Sequence, residues 1–323
     1  MNRRSFFPAF GALGFGFAGC TRSADRVVVY CSQDEEFAAA LFADFEKRTG
    51  IAVAPKFDTE ANKSVGLTAE LVQEKALPRC DVHWNNEPLG TIRLQRQSVY
   101  ASHVPFASRA RVLVVNAKLM PDGSEPQSLF DLALPKWRGK IAMAKPLFGT
   151  TATHMACLFA ALTSAKAKEL LLAFKANDLQ LVSGNKQVAL RVAEGEFAAG
   201  LTDTDDAIIE VNRGKPVKLI HLDQQSPHEK LGTLFLPNTL ALVTGGPNPS
   251  AGRKLIDFLM APEQEDRLAE GGAFQIPHHL ESRAKLHLAI RTAKQVRPMT
   301  VDFEKAADAW DECREFLKET FTQ

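Results

Sequence analysis

Apolar and polar positions along this chain switch repeatedly between a strand period and a helix period. Arg26-Val27-Val28-Val29-Tyr30 is a continuous β-branched run of the kind buried in a sheet. Phe37, Leu41, Phe42 and Phe45 then recur on one helical face, and Gly50 follows as a helix stop. The stretch 51–57 returns to a strand. Strand, helix and strand in this order predict a parallel pair with a right-handed crossover. Leu67, Leu71 and Val72 mark the next helix, Pro78 ends it, and Cys80-Asp81-Val82-His83-Trp84 is a third strand.

The alternation continues. Strands are expected at 109–116, 139–144, 179–182, 198–202 and 216–222, with a long extended segment at 232–243. Helices are expected at 128–134, 155–162, 165–175, 186–194, 251–260 and 263–270. A final helix at 303–321 packs through Ala306, Ala309, Trp310, Cys313 and Phe316. This order predicts an α/β fold with mainly parallel sheets.

Three polar stretches lie where strands give way to helices, the places where ligands gather in open α/β sheets. The first is Gly200-Leu201-Thr202-Asp203-Thr204-Asp205-Asp206, with three carboxylates in four residues. Thr202 with Asp205 also fits a capping box, as does Ser32 with Glu35. The second is Asn85-Asn86-Glu87-Pro88, directly after the third strand. The third is Gly149-Thr150-Thr151-Ala152-Thr153-His154, small hydroxyl residues that open a helix and offer its free N–H groups to an anion. A polar turn, Asp58-Thr59-Glu60-Ala61-Asn62, adds Glu60 and Asn62.

Length and composition narrow the class. The 323 residues have room for about two domains. With 24% charged and 45% apolar residues the chain reads as globular, and a net charge of +1 gives no sign of nucleic-acid binding. Residues 1–20 read as an export signal: Arg3-Arg4, an uncharged stretch from Phe6 to Gly19, then Cys20. Phe17-Ala18-Gly19-Cys20 resembles a lipobox, which would place a lipid on Cys20, and Arg3-Arg4-Ser5-Phe6-Phe7 resembles a twin-arginine signal, with Sec export as the other route. Cys31, Cys80, Cys157 and Cys313 lack zinc-site spacing; export would let them pair in any of three ways, while their apolar or helical contexts suit buried free thiols.

Several ordered blocks then point one way. They are Val29-Tyr30-Cys31-Ser32-Gln33-Asp34, Phe45-Glu46-Lys47-Arg48-Thr49-Gly50-Ile51, Cys80 through Glu87, Pro146-Leu147-Phe148-Gly149-Thr150, and Gly232-Thr233 through Asn238-Thr239. Behind an export signal, this order resembles the extracellular solute-binding proteins of bacterial ABC importers, in particular the ferric-ion-binding family.

The resemblance implies a two-lobed, type II-like periplasmic-binding fold with a hinge. One lobe would hold 25–111 with 236–290, the other 112–235, and 291–323 would form a C-terminal helical segment. It also implies a monomer, held at the outer face of the cytoplasmic membrane or in the periplasm, that serves an ABC permease and ATPase. In iron-binding members a His, a Glu and two adjacent Tyr hold the metal. Here Asp34 replaces the His, Glu87 matches the Glu, and the Tyr pair falls near 203–206. The chain has two tyrosines, Tyr30 and Tyr100, and neither lies there, which argues against phenolate ligation.

If the lobes close, Asp34, Glu60, Glu87, Asp203, Asp205 and Asp206 share one cleft with Asn62, Asn85, Thr150 and Thr151. Crowded carboxylates favour a hard cation, so the first expectation is a transported metal such as iron, with Glu87, Asp203, Asp206 and Asp34 as ligands. The alternative is a polar organic solute: a sugar, a sugar phosphate or a polyamine. No resident cofactor is expected. A hydrolase is the distant alternative, because Asp–Glu pairs can serve as acid and base, yet no Gly-x-Ser-x-Gly, His-Glu-x-x-His or Walker loop is present.

Overall fold

The β-branched run near the start forms the strand β1, Arg26–Cys31, and the helical face of Phe42 and Phe45 forms α1, Glu35–Thr49, closed by Gly50 at φ 71°. The computed structural model describes residues 25–58, 66–279 and 281–322. β2 (Ala52–Phe57), α2 (Gly66–Gln73), β3 (Val82–Asn85), α3 (Pro88–Arg96) and β4 (Tyr100–Asn116) follow. Next come β5 (Ile141–Ala144), α4 (Gly149–Ala161), α5 (Ser164–Ala176), β6 (Gln180–Val182), α6 (Asn185–Ala193), β7 (Ala199–Asp203), α7 (Thr204–Asn212) and β8 (Val217–Ile220). β9 (Phe235–Val243), α8 (Pro249–Leu259), α9 (Pro262–Glu270) and α10 (Phe303–Phe321) complete the chain.

The α/β class holds, and the sheets are mixed. β1 pairs in parallel with β2 and β3, and β5 with β6 and β7, as crossover units require. Antiparallel pairings of β9 with β3 and β4, and of β4 with β7 and β8, join these two parallel groups. The strand order is β2-β1-β3-β9-β4-β7-β5-β6, with β8 on β4.

β4 is the seam. Its first part, Tyr100 to Ala110, lies along β9, and its second part, from Arg111, lies along β7. The strand therefore starts well before the expected 109. Its early residues, Ser102, His103 and Pro105, interrupt the apolar pattern, and backbone pairing with β9 overrides it. A register shift at Phe106 and Ser108 surrounds Ala107, whose φ of 33° marks a bulge.

Apolar clusters lie on each side of the seam. Phe42, Phe45, Trp84, Phe106 and Leu240 pack beside the β1 group. Leu113, Met143, Met155, Leu158, Phe174 and Trp310 pack beside the β5 group. The short helix expected at 128–134 is a 3-10 helix, Leu129–Ala133, with Ser128 and Asp131 closing a capping box, and a second 3-10 turn follows at Pro135–Trp137. Cys31, Cys80, Cys157 and Cys313 are buried thiols.

Candidate functional site

β1, β5, β6 and β7 each end at the same cavity, and each is followed there by a helix start. Ser32, Gln33 and Asp34 come from the β1–α1 turn, Gly149, Thr150 and Thr151 from the start of α4, and Ser183, Gly184 and Asn185 from the start of α6. Asp203, Asp205 and Asp206 come from the β7–α7 turn, and Arg109 and Lys145 complete the charged lining. The cavity volume is about 70 Å³.

Two arginines from the seam organise it. Arg109 and Arg111 are two apart on β4 and so project to one face. Both are 4% exposed. Arg111 Nη1 donates to Asp203 Oδ1 at 2.8 Å and to Asn185 Oδ1 at 3.1 Å. Thr150 Oγ1 donates to Asp203 Oδ2 at 2.6 Å, and Asn185 Nδ2 donates to the same oxygen at 3.0 Å. Arg109 Nε lies 3.2 Å from Asp205 Oδ2, which also accepts from Gln275 Nε2. Arg109 Nη2 donates to Gln33 Oε1 and Asn238 Oδ1. Burial opposes the charge on Arg109, but Asp205, Asp203, Asp206 and Asp34 outweigh it and raise its pKa.

Two of the three clustered carboxylates thus carry their own counter-charges. Asp203, Asp205 and Asp206 still bring one oxygen each to within 4.8 Å of one another, a grouping that could hold a cation. The same cavity meets several uncapped helix starts. The cap residues Asp34 of α1, Phe148 of α4, Gly184 of α6 and Asp203 of α7 give their helices no side-chain hydrogen bond. Free N–H groups at a helix start favour an anion. The site therefore presents acid and anion-attracting amides together.

This arrangement corrects both capping-box expectations. α7 starts at Thr204, and Thr202 Oγ1 donates to the Asn185 carbonyl instead. Ser32 Oγ donates to Asp58, away from α1. In each case a longer-range partner wins over the local cap.

The structure separates Glu87 and Asn85 from the aspartates. Neither lines the small cavity. Glu87 is the N-cap of α3 and accepts from Gly90 N at 2.9 Å, from Thr153 Oγ1 at 2.6 Å and from Asn85 Nδ2 at 3.2 Å. Burial raises its pKa, and these donors act the other way. Asn85 is fully buried and spends its amide on Glu87 and Thr91. Asn86, its neighbour, is the member of that triplet that faces the cavity. Asp34, Thr150, Thr151, Asp203, Asp205 and Asp206 all line the small cavity. Glu60, Asn62 and Cys20 lie outside the described residues.

Sequence reasoning passed over Arg109, Arg111, Lys145 and Asn185. The first two carried a signal: two arginines alternate into a strand that is otherwise Ala110, Val112, Leu113, Val114 and Val115. Charges inside an apolar strand require buried partners.

The description "Bacterial extracellular solute-binding protein" names a family that matches residues 27–273. The chain belongs to that family. Solute-binding proteins of this kind work with an ABC permease and ATPase, and the family is one of binding proteins. A putative 2-aminoethylphosphonate-binding periplasmic protein of Salmonella typhi is 23% identical over 255 residues, 73% of each chain. The Fe(3+)-binding periplasmic protein of Serratia marcescens is 26% identical over 208 residues, 57% of this chain and 59% of that one. Iron-bound HitA from Pseudomonas aeruginosa superposes with a TM-score of 0.81 at 18% identity, covering 92% of this solute-binding protein and 99% of HitA. AfuA from Actinobacillus pleuropneumoniae, with fructose-6-phosphate bound, gives 0.80 at 18% identity with the same coverage. At these identities the two structures speak for the two-lobed fold.

Proposed function

We propose that this solute-binding protein captures a small zwitterion, an anionic head joined by a short spacer to an ammonium group, and delivers it to an ABC importer. The observation that carries this reading is the mixed character of the small cavity. Uncapped starts of α4 and α6, with Lys145, suit a phosphonate or phosphate head. The β7–α7 turn with Asp205 and Asp206 suits an amine, since among the described residues the lining holds more carboxylates than cations.

Size supports a small solute. One water takes about 10–15 Å³ on this scale, so about 70 Å³ holds roughly five to seven such groups. 2-Aminoethylphosphonate, the ligand in the name of the Salmonella typhi relative, is of that size. A sugar phosphate is larger and needs a wider cleft. The second reading is a metal cation such as iron, supported by the three grouped carboxylates. Asp203 weakens it, because both of its oxygens already accept hydrogen bonds.

In this reading the chain is an exported monomer, anchored by lipid at Cys20, with residues 25–111 and 236–290 closing against 112–235. No helix among the described residues is long and apolar enough to cross a membrane. A thermal-shift panel tests the ligand, using 2-aminoethylphosphonate, fructose 6-phosphate and ferric citrate on protein purified without chelator. The zwitterion should give the largest rise in melting temperature. Stabilisation by ferric citrate alone, with iron retained in native mass spectra, would favour the metal.

A further inference from the structure

A second cavity of about 500 Å³ is lined by α2, α3, the start of α4 and α10. That is the size range of small organic ligand sites. It adjoins the small cavity through Phe148 and Gly149, and no solute has been assigned to it above. Its walls have two chemistries. Leu89, Leu147, Phe148 and Trp310 form an apolar surface, and Phe148 stays 40% exposed. Arg93, Arg314 and Lys318 form a basic surface. Trp310, Arg314 and Lys318 are spaced four apart on α10 and so share one face.

The cations here are poorly matched by acids. Among the described residues Glu87 is the acid in the lining, and its oxygens are taken by Gly90, Thr153 and Asn85. Arg93 reaches Asp311 at 3.5 Å, while Arg314 and Lys318 have no carboxylate at ion-pair distance among the described residues. Arg93 also lies 6.0 Å from the centre of the Trp310 ring. Partial burial and the neighbouring Arg314 charge lower its pKa, with Asp311 opposing. Trp310 Nε1 is buried with no hydrogen-bond partner among the described residues. Like charges crowded beside an apolar wall are relieved by an anion that brings its own apolar surface.

We propose that this cavity binds an amphipathic organic anion, its apolar body against Leu89, Phe148 and Trp310 and its head among Arg93, Arg314 and Lys318. A bare phosphate would leave the apolar wall wet, and a neutral hydrocarbon would leave Arg314 and Lys318 unanswered. The inference stands on walls separate from the aspartate turn and does not depend on the zwitterion reading.

The test uses 8-anilinonaphthalene-1-sulfonate, a fluorescent apolar anion, titrated into the full chain. One probe should bind per chain. Octanoate should displace it, and 1-octanol at equal concentration should not. The double variant Arg314→Glu with Lys318→Glu should weaken probe binding at least tenfold with an unchanged melting temperature, because both side chains are exposed. The same charge change at exposed Lys166 and Lys175 on α5 should leave binding within twofold. Binding that survives the α10 double variant, falls equally in the α5 variant, or yields equally to octanol overturns the proposal.

Discussion

Glu87 and Asp203 sit in matching places. Each is the N-cap residue of a helix that follows a strand, α3 after β3 and α7 after β7. Glu87 turns back to cap its own helix and reaches across to Thr153 of α4, with no cation at ion-pair distance among the described residues. Asp203 leaves its helix uncapped and gives its oxygens to Arg111, Thr150 and Asn185. One acid closes a helix start, and the other keeps a helix start open beside a cavity. An acidic residue after a strand therefore does not identify a ligand contact. The nearest buried cation does more to decide its use than its position in the sequence.

The largest effect should come from Asp203→Ala, which strands the buried Arg111 guanidinium. Removing one partner of a buried ion pair costs about 3–5 kcal/mol, read by urea denaturation. Glu87→Ala should cost less, about 2–3 kcal/mol, from the lost cap and the donors left behind. Ligand affinity of that variant should stay within about twofold of wild type, by the same reasoning that keeps Glu87 off the small cavity. A Glu87→Ala protein that melts normally but fails to bind solute would break the comparison.

Acid titration sharpens it. Burial lowers His83, on β3, and His154, on α4 and near Arg111, to about 3. Below about 6.5 the unfolded chain takes up protons that these folded imidazoles refuse, so stability falls with falling pH until about 3. From pH 7 to pH 5 each should contribute a loss of about 2 kcal/mol. Glu87 has the opposite sign: its raised pKa gives stability at low pH that is lost as pH rises through the folded value. His154→Gln should flatten the acid limb, and Glu87→Gln should steepen it, in denaturation curves collected across this range.

Two smaller changes separate binding from folding. Asp206→Asn removes charge from the cavity and should weaken an ammonium-bearing ligand about tenfold, close to 1.4 kcal/mol, with little change in melting temperature. Thr153→Val removes the donor to Glu87 and should cost about 1 kcal/mol of stability with affinity retained. Reversed outcomes for this pair would mean the two acids have been assigned to the wrong roles.

The fold was legible because β1 is a continuous apolar run and α1, α5, α6 and α7 keep a helical period. The long β4 was half hidden: Ser102, His103 and Pro105 lie outside the expected strand at 109–116, and only pairing with β9 brings them into it. The turn bearing Asp203, Asp205 and Asp206 was legible from local order alone. The separation of Glu87 was not, because Thr153 is 66 residues away and only the packing of α3 near α4 brings it close. Arg109 and Arg111 were readable as charges in an apolar strand, but which acids they meet depends on the antiparallel register of β4 with β7.

The most direct test of the account is a calorimetric comparison of one ligand with its two halves. 2-Aminoethylphosphonate, ethylphosphonate and ethanolamine are titrated into the wild-type chain at the same salt and pH. A cavity that joins open helix starts to an acidic turn predicts binding of the zwitterion at least a hundredfold tighter than either fragment, about 2.7 kcal/mol. Ethylphosphonate binding as tightly as the zwitterion would contradict a role for the aspartates in holding an amine, and no heat from any of the three would contradict the zwitterion site itself.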